Sequence, residues 1–166
     1  MRRLLAATAI SAVAAVPTPK ALYKALLESP VAGAKPRAVQ PGPNSTRHHV
    51  VGEAEIDYAG GSKRIVYVVF PTHADAVGNH ADGVRQLKAI HGISKIEKPV
   101  PGLPKPSVLV DASEGRLGVT QVTFVAGNVE IAAQSIKANA KDGDEKVAKS
   151  VAQLALRHLR SVEKGA

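Results

Sequence analysis

Gly118-Val-Thr-Gln-Val-Thr-Phe-Val-Ala126, then Gly127-Asn128, then Val129-Glu-Ile-Ala-Ala-Gln-Ser-Ile136 decide how this chain folds. β-Branched and aromatic side chains dominate the first run, which is strand composition. Gly127-Asn128 supplies residues that tolerate positive φ, as a two-residue hairpin turn demands. Val129 to Ile136 returns as the partner strand. Strands joined this tightly lie antiparallel and side by side.

Upstream, Ser107-Val-Leu-Val-Asp-Ala112 reads as a third strand, and Gly115-Arg-Leu-Gly118 as the turn that follows it. A second hairpin lies further back. From His48 to Tyr58 the chain alternates, with Glu53, Glu55 and Asp57 on one side and Ala54, Ile56 and Tyr58 on the other. Gly60-Gly61 turns it into Arg64-Ile-Val-Tyr-Val-Val-Phe70. That run is apolar on both sides, so it is expected at the centre of the sheet, covered on both faces.

Helices fill the gaps. Thr72 is placed to cap a helix running to about Ile90, with Asp75 in its first turn and Gly92 as its stop. Ala74, Val77, Ala81, Val84, Leu87 and Ile90 would form its apolar side, and Gly78 and Gly83 would weaken it. Asp144 can cap a last helix from Glu145 to about Glu163, whose seam is Val147, Val151, Leu154, Ala155, Leu159 and Val162. A short amphipathic helix spans Ala21 to Glu28. The expected fold is α+β: a mainly antiparallel sheet of about five strands, in the order α-β-β-α-β-β-β-α, packed by the two longer helices. Residues 30–46 hold Pro30, Pro36, Pro41 and Pro43 with Gly33 and Gly42, and read as an extended connector that is not packed. The organisation is thus a segment 1–16, a short helix and connector over 17–46, and one domain over 47–163.

Composition excludes several chemistries. The 166 residues hold no cysteine, so thiol catalysis, disulfides and thiolate metal sites are ruled out. Aromatics are 3% of the chain, too few for the stacking platforms that bind single-stranded nucleic acid. The net charge of +8 suits anionic polymers or headgroups, or simply solubility. Met1-Arg-Arg-Leu-Leu-Ala-Ala-Thr-Ala-Ile-Ser-Ala-Val-Ala-Ala-Val16 has the layout of an export signal: a basic start, an apolar run and a small-residue close. Leu4 to Val16 falls short of the ~20 apolar residues that span a bilayer, so no permanent span is expected. The location read from it is secreted or extracytoplasmic.

No motif carries decisive catalysis. His73-Ala-Asp75 recurs as His80-Ala-Asp82, about two turns and ~10 Å apart on a helix, too far for one metal. A solvated helix face accounts for the repeat. His48-His49 sits at a strand start, where neighbours face opposite ways, and His158 reads as a boundary residue of the last helix. The sharpest constellation is the acidic row Glu53, Glu55 and Asp57, with members ~7 Å apart. It could bind a ligand, serve acid–base work on a sugar or hold calcium; alternatively it is a charged face paired with Lys63, Arg64 or Arg116. Lys146, Lys149, Arg157 and Arg160 form a basic stripe that could touch an anionic surface. No serine sits in a nucleophile elbow, and Gly115-Arg-Leu-Gly118 lacks the phosphate-loop ending. No catalytic residue, metal or cofactor is assigned.

Three pieces carry a resemblance: the basic apolar start, Pro99-Val-Pro-Gly-Leu103, and Val125-Ala-Gly-Asn-Val-Glu-Ile131 before a long Ala/Leu helix. Together with Phe70-Pro-Thr-His-Ala-Asp-Ala76 they resemble small exported proteins and lipoproteins of actinobacteria, some with a PsbP-like sandwich. The chain departs from them in lacking the lipobox cysteine and in carrying Pro104-Lys105 where relatives often continue Gly-Asp. The resemblance implies a non-enzymatic exported domain and supplies no catalytic residue. The functional expectation is an envelope binding or accessory domain that recognises a ligand or protein through a sheet face or a groove between sheet and helices. The alternative is a small envelope hydrolase or metal-assisted enzyme using Glu53, Glu55 or Asp57.

Overall fold

The structure, a computed structural model, describes residues 16–43, 45–87, 93–114, 116–141 and 143–165. The export-signal reading over 1–15, the helix end at Ile90 and Gly92, and Gly115 lie outside them. The elements are α1 (Pro19–Glu28), β1 (Arg37–Val39), a 3-10 turn (Ser45–His48), β2 (Gly52–Tyr58) and β3 (Lys63–Val69). They continue as α2 (His73–Gln86), β4 (Ile93–Glu97), β5 (Ser107–Glu114), β6 (Leu117–Ala126), β7 (Val129–Ala138) and α3 (Glu145–Gly165).

The class is α+β and the sheet antiparallel, but it has seven strands, in the order β1-β2-β3-β7-β6-β5-β4. The five expected strands are its interior, and the two missed ones are its edges. β1 is three residues inside the proline-rich stretch and pairs Arg37 with Glu55 and Val39 with Glu53. Backbone pairing and the Arg37–Glu55 ion pair hold it, and three residues are too few for side-chain alternation to announce it. Nor is the connector wholly unpacked, because Val31 is buried. β4, Ile93-Ser-Lys-Ile-Glu97, is short and carries charge, as edge strands do. The Gly127-Asn128 hairpin forms as read, with Ala126 opposite Val129 and Gly127 at φ +57°.

The two faces of the sheet differ. One carries Ile56, Ile65, Tyr67, Val122, Phe124 and Ile131, all fully buried beneath α1 and α3. Each such side chain contributes roughly 1.5–3 kcal/mol by leaving water. α3 starts where Asp144 Oδ1 accepts from the Val147 amide at 3.1 Å, and buries Ala148, Val151, Ala155 and Leu159. α1 starts at Thr18, whose hydroxyl accepts from the Ala21 amide, and seats Leu22 and Leu26 in the same core. The Tyr67 hydroxyl reaches the Ala155 carbonyl at 3.2 Å and His158 Nδ1 at 2.9 Å.

Among the described helices, α2 is the one that covers the second face. Thr72 caps this helix as expected, accepting from the Asp75 amide at 3.1 Å. The buried side is not the one that apolar spacing indicates. Ala76, Asn79 and His80 face inward, while Ala74 and Ala81 are exposed. The reason is polar: Glu130 on β7 lies beneath this helix and draws Asn79 and His80 toward it. The turn at Ser45–His48 fixes the helix from outside, with His48 Nε2 2.9 Å from Asp82 Oδ2. Gly78 permits this approach, since a Cβ there would meet the His48 ring.

Candidate functional site

A groove separates α2 from strands β5 to β7. It has two adjoining parts that share His80 and Val84 in their walls. The inner part, about 220 Å³, lies between α2 and the side chains of Val108, Val110, Gln121 and Thr123. The outer part, about 660 Å³, is bounded by Val77 and Ala81 on the helix and by Pro99 and Pro106 on the loop from β4 to β5. Both prolines follow cis peptide bonds, Lys98-Pro99 and Lys105-Pro106. The combined size falls in the range of small-molecule sites, which are mostly apolar with a few fixed polar groups.

Here the polar groups are tightly held, and Gln121 Nε2 donates to Thr123 Oγ1 at 2.9 Å. Glu130 is 7% exposed and His80 5%. The Glu130 carboxylate accepts from Asn79 Nδ2 and lies 3.1 Å from His80 Nδ1. A carboxylate only accepts, so the proton of this bond sits on Nδ1. That fixes the ring and leaves Nε2 as the nitrogen with no hydrogen bond among the described residues. His80 lines both parts of the groove. Gly83, one turn on, widens the inner part: a Cβ built there meets nothing within 4 Å.

The groove's exposed charges are one sign. Lys98 and Lys105 stand exposed on its outer wall, and neither forms an ion pair among the described residues. Among the described lining residues the one carboxylate is Glu130, already engaged by two donors.

Glu53, Glu55 and Asp57 share the α2 side of the sheet, as alternation predicts, but not the groove. Strands β3, β7 and β6 separate them from β5. Each is engaged. Glu53 Oε1 accepts from the Gly42 amide at 2.9 Å, and Arg37 donates to Glu55. Arg64 Nε donates to Asp57 at 2.7 Å, and that hydrogen bond holds the Asp57 carboxyl below the usual range. On α3, Lys146, Arg157 and Arg160 are exposed. Lys149 is turned toward the β4 edge, 2.6 Å from Glu145 and 3.5 Å from Glu97. The stripe and the groove lie on opposite sides of the sheet. Among the described residues no three histidines or carboxylates stand together to hold a metal ion.

The groove residues were missed because each looks ordinary alone. Glu130 is a single acid in a strand, and His80 half of a repeat whose other half, His73, is exposed. The available signal was a lone carboxylate inside the apolar run Val129-Glu-Ile-Ala-Ala133, which must find a partner if that strand is central.

The arrangement defines an α+β domain with one packed sheet face and one grooved one. This fold is similar to the crystal structure of the extracellular domain of PknH from Mycobacterium tuberculosis, with a TM-score of 0.51 and 14% sequence identity. The match covers 74% of this chain and 69% of that one. No family model matches the chain, and no curated protein matches it. No helix among the described residues is long and apolar enough to cross a membrane.

Proposed function

We propose that this chain is an extracytoplasmic, non-catalytic binding domain that takes a small ligand between α2 and the sheet. The observation that carries the reading is His80: buried, oriented through Nδ1 by Glu130, and lining both parts of a mostly apolar groove. Such preorganised polar groups in apolar walls orient a ligand. Export is supported by the basic apolar segment Met1 to Val16 and by a fold shared with an extracellular domain. The envelope hydrolase alternative is less well supported, since its three carboxylates are engaged by a backbone amide and two arginines.

Two measurements test the reading. In its native host the protein should be recovered from the envelope or culture fluid with an N-terminus beyond the apolar segment; an intact chain confined to cytosol removes export. A fragment set of mixed charge, added at millimolar concentration to the ¹⁵N-labelled protein, should shift the amides of His80, Gly83 and Val84. Gly83→Leu adds a side chain at the wall of the inner part, where a Cβ meets nothing within 4 Å, and should abolish those shifts. Shifts centred elsewhere, or unchanged by Gly83→Leu, end the groove assignment.

A further inference from the structure

We infer that the ligand is a single-chain amphiphile with one acidic head group, its apolar body in the groove and its acid at the Lys98–Lys105 rim. This rests on the groove being the binding site and adds the chemical class. Three features select it. The outer part is walled by Val77, Ala81, Val84, Pro99 and Pro106, so the bulk of the ligand is apolar. Its exposed charges are two lysines with no acidic partner among the described residues, so the polar end is anionic. The carboxylate among the described lining residues, Glu130, is buried and already accepts from Asn79 and His80, so its oxygens are committed before a ligand enters.

The loop geometry places the acid at the rim and not deeper. Antiparallel pairing of β4 with β5 sets Ile96 opposite Val110, on the α2 side of the sheet. Lys98 follows two residues later on that side, at the end of the strand, and Lys105 closes the same loop just before β5 begins. An ammonium there stays hydrated while its aliphatic stem can lie along apolar wall. Inward of it stands His80, which lines both parts of the groove. A chain that enters past the lysines therefore meets the helix and proline wall, then the 220 Å³ inner part, where Val84, Leu87, Val108 and Val110 stand beside Gln121 and Thr123.

The test uses the full chain and decyl probes below their micelle thresholds: decanoate, decyl phosphate, decyltrimethylammonium and neutral decyl glucoside. Affinity is read by calorimetry and position by ¹⁵N shifts. Decanoate and decyl phosphate should bind at His80, Gly83 and Val84, and the better of the two identifies a carboxylate or a phosphate head. The ammonium probe should bind at least tenfold more weakly. Lys98→Ala/Lys105→Ala should weaken the acids roughly two- to thirty-fold, the range of two exposed ion pairs, and leave decyl glucoside unchanged. If all four probes bind the groove alike, or the double lysine variant binds the acids as well as the parent, the acidic class is wrong while the groove reading stands. If none shifts the groove but mixed fragments do, the amphiphile is wrong. If no probe or fragment of any charge binds there, both readings fall. Binding of the acids that survives Gly83→Leu places them elsewhere and overturns the inference.

Discussion

Glu130 offers the most direct test of how the grooved face is built. Replacing it with alanine leaves two donors, Asn79 Nδ2 and His80 Nδ1, without the acceptor they share. Each orphaned buried donor costs roughly 1–3 kcal/mol. The sum lies toward the lower half for this pair, because the adjoining 220 Å³ space lets water approach His80. Glu130→Ala should therefore destabilise by about 2–4 kcal/mol, and Glu130→Gln, which keeps one acceptor, by about half as much. Urea unfolding of the full chain measures this as a lower midpoint at constant m, accompanied by a melting temperature lower by about 2–4 °C per kcal/mol. A cycle with His80→Ala isolates the pair and should return a coupling of about 0.5–3 kcal/mol. The buried cluster is misassigned if Glu130→Ala costs under 1 kcal/mol or if the two substitutions simply add.

Two further outcomes follow from the same geometry. Gly143→Ala and Gly83→Ala are the same chemical change in opposite settings. At Gly143 the new Cβ runs into the Ser135 carbonyl and the Thr120 amide, so about 1–3 kcal/mol should be lost, whereas Gly83→Ala meets open space and should gain about 0.5–1 kcal/mol from helix propensity. Equal thermal shifts for the two would contradict this packing. Acid stability should fall in two windows. Hydrogen bonds from Lys149 and Lys95 hold Glu145 at about 2 against an ordinary 4.5, so its contribution is present above 4.5 and lost as pH drops toward 2. Burial pushes His158 below 6.5, so the unfolded chain takes up that proton first and stability declines as pH falls through 6.5. Urea midpoints from pH 2 to 8 should fall less steeply through the lower window in Glu145→Gln, with Asp57, Asp82 and Asp144 still titrating there, and should lose the upper window in His158→Gln; unchanged acid limbs would refute both assignments.

What could be read from the chain follows how each element earns its burial. The hairpins around Gly60-Gly61 and Gly127-Asn128, and the α3 seam through Val151, Ala155 and Leu159, are written in apolar periodicity because they face the packed core. β1 and β4 are held by edge pairing with β2 and β5, which constrains backbone more than side chains, so their residues carry little pattern. α2 misleads for a different reason. Its inward side is chosen by a hydrogen-bonded trio, and its apolar residues Val77 and Val84 are left to line the groove. Periodicity assumes that apolar residues seek the core, and it fails where they wall a cavity.

The excess positive charge then takes on two distinct meanings. Lys149 is bound to Glu145 and Glu97, so the α3 stripe reduces to Lys146, Arg157 and Arg160 on the outer side of a helix that packs the opposite sheet face. Anionic polymer drawn to those cations would be released by salt, because exposed charges are screened over about 10 Å at 0.1 M. Acid held at Lys98 and Lys105 would weaken with salt too, so ionic strength alone cannot separate the two. Filling the groove can. Gly83→Leu leaves every one of these five cations in place and changes only the apolar volume beside His80. Polymer adhesion should be indifferent to it, while an amphiphile whose body occupies that volume should be expelled even at low salt.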